Sequence, residues 1–169
     1  METTNEYPEL TEGQAKAIAL KQFNDEEFFF VDGNDDGEIT IFEGNEEEAR
    51  EGFRADIEGT EEVEIESNFL IYCQNNLTEI DEIDGDDETD GYMVLTDDEA
   101  NEKWEASLDS YLEECIYPEL PEVAKRYFDD EAWKRDARHD GRGHSINSYD
   151  GGEDEETVNG VTYYIYRVS

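Results

Sequence analysis

Positive charge is what this chain lacks most: twelve Lys and Arg stand against fifty Asp and Glu, a formal charge of -38 over 169 residues. Such scarcity excludes the basic stripe with which proteins grip phosphate backbones, so no direct nucleic-acid binding is expected. Long apolar runs are missing too. None approaches the roughly 20 residues that span a bilayer, and the opening METTNEYPEL has neither the basic nor the apolar segment of a secretory signal. The chain is therefore expected to be soluble and cytoplasmic, with no membrane partner. Its two cysteines, Cys73 and Cys115, lie 42 residues apart without CxxC spacing, which speaks for reduced thiols rather than a zinc site or disulfide framework. There is no nucleophile elbow, phosphate loop or ligand triad, and no internal repeat, collagen-like or heptad pattern. A non-enzymatic protein without a cofactor is the expectation.

What is present argues for a fold. A chain that is 37% charged leans toward disorder. Against that stand ten Tyr, eight Phe and two Trp, with apolar residues grouped in runs such as Phe28 to Val31 and Tyr163 to Tyr166. Thr11 reads as the N-cap of a helix in which Ala15, Ile18, Ala19 and Phe23 fall at helical spacing. Phe28 to Val31 and Glu38 to Phe42 flank a turn-rich cluster and read as a hairpin. Asn45 caps a helix to about Ile57. From Glu61 the residues alternate, Val63 and Ile65 against Glu62, Glu64 and Glu66, and lead into Phe69 to Tyr72, which predicts a half-exposed strand. A very acidic loop over residues 74–90 precedes a strand at Tyr92 to Leu95. Thr96 caps a helix through about Ile116, another helix runs from Asp129 to about Arg138, and after a Gly-rich polar loop a last strand spans Val161 to Val168. The expected class is α+β, a small sheet of hairpins and short strands with three to four amphipathic helices and a very acidic surface.

Charge is unevenly spread along the chain. Residues 1–124 hold forty acids and five bases, a net of -35, and residues 125–169 hold ten acids and seven bases, a net of -3. With Pro118 and Pro121 breaking the chain at YPELPE, this suggests an acidic α+β body over residues 1–117 and a near-neutral helix-loop-strand part over residues 118–169. One continuous domain is the other reading.

Two constellations could hold chemistry. Asp32 to Glu43 satisfies the calcium-loop pattern: Asp32, Asn34 and Asp36 at positions 1, 3 and 5, Gly37 at 6, Glu38 at 7, an apolar residue at 8 and Glu43 at 12. A poorer copy runs from Asp86 to Asp97, with Glu88, Asp90 and Gly91 at positions 3, 5 and 6. Such a loop needs an amphipathic helix leading into it, whereas four consecutive residues of high β-propensity, Phe28 to Val31, favour a hairpin with no metal. In the Gly-rich loop, His139, Asp140, His144 and Asp150, with Arg138 and Arg142, could ligate a metal or serve as acid and base. The plainer reading is a surface loop whose Arg and His pair with local carboxylates.

The acidic surface is itself a candidate. Alternate strand residues stand about 6.6 Å apart and helix neighbours at three and four residues about 5 to 6 Å apart, spacings comparable to the repeat of a phosphate backbone. A cleft lined with Lys and Arg would attract such a face with steep salt dependence. The residues expected to stand in for phosphates are Glu46, Glu47, Glu48, Glu58, Glu61, Glu62, Glu64, Glu66, Glu79, Asp81, Glu82, Asp84, Asp86, Asp87, Glu88, Asp90, Asp97 and Asp98. Adaptation to high salt would explain the scarcity of Lys, five in all, but not the segregation of charge.

Residues 121–136, PEVAKRYFDDEAWKRD, resemble the C-terminal motif of the ArdA antirestriction family. That motif has a Pro-Glu pair, an aromatic-rich Tyr-Phe-Asp, a further aromatic and an Arg-Asp pair, matched here by Pro121, Glu122, Tyr127, Phe128, Asp129, Trp133, Arg135 and Asp136. The resemblance implies a small acidic protein of a phage or mobile element that mimics bent DNA, occupies type I restriction-modification enzymes, and commonly forms a homodimer through its C-terminal part. Spacing alone offers a plainer role, in which Tyr127, Phe128 and Trp133 form the apolar face of a helix packed on the final strand. The expected function is a non-enzymatic DNA-mimic inhibitor of a host defence enzyme, a restriction-modification or CRISPR effector, whose basic groove is the partner. A calcium-binding module over residues 32–43 and a general acidic interaction protein are the alternatives.

Overall fold

The structure, a computed structural model, describes residues 8–32, 38–57 and 65–169, with backbone only for 65–68. The fold is α+β. Two compact units divide it, residues 1–84 with 158–160, and residues 85–157 with 161–169.

In the first unit, α1 (Glu12–Phe23) begins where Thr11 and Gln14 exchange side-chain and backbone hydrogen bonds in a capping box. Residues 15–20 of α1 are all buried, Lys16 among them. The helix is thus enclosed rather than amphipathic. The hairpin forms as expected, β1 (Phe28–Asp32) antiparallel to β2 (Ile39–Glu43), with Phe28 opposite Glu43 and Asp32 opposite Ile39. Asn45 accepts from the amides of Glu47 and Glu48 and starts α2 (Glu46–Ile57).

The strand expected over residues 61–72 is corrected. Residues 61–64 lie outside the described residues, and from Ile65 the chain is α3 (Ile65–Asn76). Phe69 and Cys73, one helical turn apart, are buried beside Phe29, Phe42, Ala49 and Phe53, while Ile71 is 51% exposed. Burial at i and i+4 with exposure at i+2 is a helical pattern and the opposite of a strand's. The apolar run Phe69 to Tyr72 does not distinguish the two by itself; packing against the hairpin and α2 does.

Cys73 is enclosed in that cluster, and burial raises its thiol from an ordinary 9.0 to about 11, the nearby Arg50 opposing the shift. Cys115 is exposed. A thiol reagent such as Ellman's is expected to titrate one cysteine in the native protein and the second only on unfolding. Between those two values the unfolded chain releases a proton that the fold retains, so stability should fall as pH rises through about 9 to 11. Rapid reaction of both native thiols would contradict the α3 packing.

In the second unit, β3 (Glu88–Thr89), β4 (Tyr92–Leu95), β5 (Asp154–Val158) and β6 (Val161–Arg167) form a sheet in the order β3-β4-β6-β5. Asp90 and Gly91, with φ of 52° and 85°, make the two-residue turn between β3 and β4, the backbone that an Asp-Gly hairpin favours. β5, expected as loop, is the acidic edge of the sheet. A capping box between Thr96 and Glu99 starts α4 (Asp97–Tyr111). Leu95, Ala100, Ile146 and Tyr166 form the core beneath it.

α4 ends in a π turn over Leu112–Ile116 and a 3₁₀ turn over Tyr117–Glu119. Pro118 has no amide hydrogen to continue the ladder, which accounts for the break. Then follow α5 (Glu122–Lys125), α6 (Asp130–Arg138) and α7 (Arg142–Ile146). α7 lies within the expected Gly-rich loop. Its Gly143 sits against the backbone of Gly151 and Gly152, where a Cβ would come within 2.5 Å of a carbonyl oxygen.

The compact units part at 84/85. β4 pairs with β6, which ties residues 85–117 to the C-terminal part. Both units are strongly acidic: the first carries 26 acids and 4 bases, a net of -22, and the second 24 and 8, a net of -16.

Candidate functional site

Among the described residues, each acid expected to replace a phosphate is exposed: Glu46, Glu47, Glu48, Glu79, Asp81, Glu82, Asp84, Asp86, Asp87, Glu88, Asp90, Asp97 and Asp98. Glu58, Glu61, Glu62 and Glu64 lie outside the described residues. Glu66 falls in α3, so its expected place on a strand beside Glu62 and Glu64 is corrected.

Several of those acids are held on hydrogen-bonded backbone. Glu46 to Glu48 form the first turn of α2, where carboxylates interact favourably with the helix dipole. Residues 78–83 run beside β2 and α1. The amide of Glu43 donates to the carbonyl of Thr78 at 3.0 Å, that of Ile80 to Ile41 at 2.8 Å, and that of Ile83 to Gly13 at 3.1 Å. Ile83 is buried, while Glu79, Asp81, Glu82 and Asp84 face solvent. The Thr11 hydroxyl donates to Glu82 at 2.8 Å.

Cation pairing then separates the acids into two classes. Arg50 holds Glu46 at 3.1 Å, Lys103 holds Asp86 at 3.1 Å, and Arg142 holds Asp97 at 2.7 Å. Glu47, Glu48, Glu79, Asp81, Glu82, Asp84, Asp87, Glu88, Asp90 and Asp98 meet no cation among the described residues, Glu82 and Glu88 accepting only from the hydroxyls of Thr11 and Ser169.

α4 extends the set. Asp98, Glu102, Glu105 and Asp109 recur every three or four residues along α4, so neighbours stand about 5 to 6 Å apart on one face, and Glu113 follows in the π turn. Lys134 of α6 bridges Glu105 and Asp109, and Arg138 pairs with Glu105. The hydrogen bond to Asp109 raises the Lys134 pKa. The bases that make residues 125–169 look neutral are thus partly spent on α4's carboxylates. Glu102 and Glu113 stay exposed; their helical spacing was the available signal for them.

Asp32 and Glu43 lie at opposite ends of the hairpin, four strand residues apart, or about 13 Å. Glu43 is ion-paired with Lys21, which also meets Glu26 at 3.0 Å. Burial of Lys21 disfavours its charge, but the two carboxylates outweigh this and raise its pKa. Glu38 is exposed beside β2, and Asn34 and Asp36 lie outside the described residues. In the poorer copy, Gly91 serves the turn, while Asp86 and Asp97 are taken by Lys103 and Arg142. Among the described residues no three His, Cys, Asp or Glu side chains converge as a metal site would require.

Of the histidine constellation, Asp140 and His144 line one cavity, and Arg138, Arg142 and Asp150 have partners elsewhere. Arg138 binds Glu105, and Asp150 accepts from the Asn147 amide at 2.7 Å and from the Gly152 backbone at 2.9 Å. Arg142 donates twice to Glu153 at 3.1 Å, to Asp97 at 2.7 Å and to Asn101 at 3.0 Å, and stacks 4.4 Å over the Tyr164 ring. The Tyr166 hydroxyl donates to Glu153 at 2.8 Å. Burial opposes the Arg142 charge, but Glu153 and Asp97 more than offset it and hold the pKa high. His139 and His144 are exposed. This is a structural lock between α7, α4 and β6, with Arg142 only 11% exposed. Arg142→Ala is expected to lower stability by about 3 kcal/mol in urea unfolding, with little contribution from Asp97, which is 60% exposed and screened. Lysine lacks the fork and should not rescue; full rescue by Arg142→Lys would contradict this geometry.

The ArdA-like residues do not form one helical face. Pro121 precedes α5, and Glu122 pairs with Lys125 at 3.3 Å. Tyr127, between α5 and α6, is 78% exposed, and Phe128 packs edge-on against Tyr117. The Asp129 side chain caps α6 by accepting from the Ala132 amide. Trp133 stacks on Tyr111, and Arg135 and Asp136 are exposed. The plainer role, a single apolar face against the final strand, is therefore corrected: a turn separates Tyr127 and Phe128 from α6, and the ring partners come from α4 and the turn after it. Tyr117 also donates to Asp130 at 2.5 Å, and this bond lifts its pKa to about 12.

No protein-family model, curated protein or solved structure matches this chain.

Proposed function

We propose that this protein is a non-enzymatic inhibitor that offers carboxylates in place of DNA phosphates to the basic groove of a DNA-binding host defence enzyme, a restriction-modification or CRISPR effector. The observation that carries the reading is the exposure of thirteen expected acids, ten of them without a cation among the described residues, with Glu46 to Glu48 on a helical turn and residues 78–83 hydrogen-bonded to β2 and α1. A chain that needed only solubility would gain nothing from holding those groups on helical turns and an anchored segment. A competitor for a phosphate-binding groove gains pre-organisation, which lowers the entropy lost on binding. The resemblance of residues 121–136 to ArdA proteins favours the same class of target.

The test is a pull-down from host lysate at about 50 and 200 mM salt, the range over which phosphate-like contacts weaken most visibly. The expected result is capture of a DNA-binding enzyme at low salt, release at high salt, and competition by duplex DNA. Capture that ignores both salt and DNA would count against phosphate mimicry.

A further inference from the structure

The sequence singled out Trp133, Asp136, Asp140 and His144 for different reasons, and within the second unit they line a single cavity. It measures about 620 Å³ between α4, α6 and α7, with Leu108 and Tyr111 on the α4 side. We propose that this cavity is a slot for an arginine side chain of a partner protein.

The walls and rim define the chemistry. Tyr111 and Trp133 are parallel within 10°, their centroids 5.5 Å apart. Tyr111 is 51% exposed, so the stacked pair is reachable from solvent. Asp136 and Asp140 are exposed on the same cavity. The cations nearest in sequence do not neutralise them: Lys134 and Arg138 are held by Glu105 and Asp109 of α4, and Arg135 does not line the cavity.

An anion would meet two carboxylates and the field of a unit with net charge -16. An apolar ligand would desolvate those carboxylates without compensation. A metal ion is disfavoured because Asp136, Asp140 and His144 rim a cavity rather than converge on a point. A cation with an extended π face fits both features: guanidinium stacks on aromatic rings and forms paired hydrogen bonds to carboxylates, whereas ammonium is a more strongly hydrated point charge. The choice of arginine over lysine rests on that difference.

The slot does not depend on phosphate mimicry, and it is tested with small probes. The two indole N–H signals of the ¹⁵N-labelled full chain, from Trp104 and Trp133, are followed by NMR while N-acetyl-arginine methylamide or N-acetyl-lysine methylamide is added. A Trp133→Phe variant assigns the signals. The expected result is a saturable shift of the Trp133 signal with the arginine probe, weaker binding of the lysine probe, and a still Trp104 signal. Asp136→Asn with Asp140→Asn should weaken arginine binding about tenfold, with the unmoved Trp104 signal reporting an intact fold. No saturable Trp133 shift, equal binding of both probes, or unchanged affinity in the double variant would each overturn the slot.

Discussion

Phe69→Ala is expected to destabilise the first unit by about 3 to 5 kcal/mol, the cost of removing a large ring from a packed core. Phe69 is 2% exposed and packs edge-on against Phe53 at 5.5 Å, beside Phe29 at 6.4 Å and stacked with Tyr72 at 6.5 Å, with the Arg50 guanidinium 4.5 Å from its centroid. Ile71→Ala should cost at most about 0.5 kcal/mol, because Ile71 is half exposed. The contrast separates two backbones. On a strand, residues 69 and 71 share a face and both truncations would be costly; on α3 they point apart. Ile71→Pro adds a direct test, since proline inside a helix costs about 3 kcal/mol or more whatever its side chain touches. Chemical denaturation read by circular dichroism measures all three, and equal losses for Phe69→Ala and Ile71→Ala would refute the helix.

Charge reversal on α2 and α4 is expected to weaken binding far more than it changes stability. Glu47→Lys with Glu48→Lys, and separately Asp98→Lys with Glu102→Lys, replace exposed acids that meet no cation among the described residues. Each pair reduces the net charge from -38 to -34, and the relieved self-repulsion offsets only part of the dipole stabilisation lost from the first turns of α2 and α4, so stability should fall by about 1 kcal/mol. In the complex each new lysine faces a basic groove, where like charges cost several kcal/mol. Affinity for the captured enzyme should fall about a hundredfold or more for a pair that lies in the contact, and the salt dependence should become shallower. Titrations at two salt concentrations read both quantities. If neither pair changes affinity or salt slope, the carboxylates of α2 and α4 do not stand in for phosphates.

The elements legible in the sequence are those decided by neighbours along the chain. Thr11, Asn45 and Thr96 cap their helices because a short side-chain oxygen reaches amides two or three residues ahead. The hairpin of β1 and β2 follows from β-rich runs about a turn. The alternation at Glu61 to Glu66 misled because its last two residues, Ile65 and Glu66, already belong to α3, and the apolar run Phe69 to Tyr72 suits a strand or a buried helix equally. β5 escaped notice because its acids, Asp154 to Glu156, lie on a sheet edge, where charge guards against further pairing. α7 escaped because its glycines read as a loop, although Gly143 is needed for backbone packing.

Of the candidate surface, composition determined the excess of acid, and local spacing determined that helices would carry it in rows. Which acids remain without a cation was decided only in three dimensions. Arg138 reaches Glu105 across 33 residues and Arg142 reaches Asp97 across 45, so the apparent neutrality of the C-terminal part becomes countercharge for α4. Ion pairing depends on distances of a few ångströms in space, and positions so far apart in the chain acquire such distances only when α4, α6, α7 and the sheet pack together.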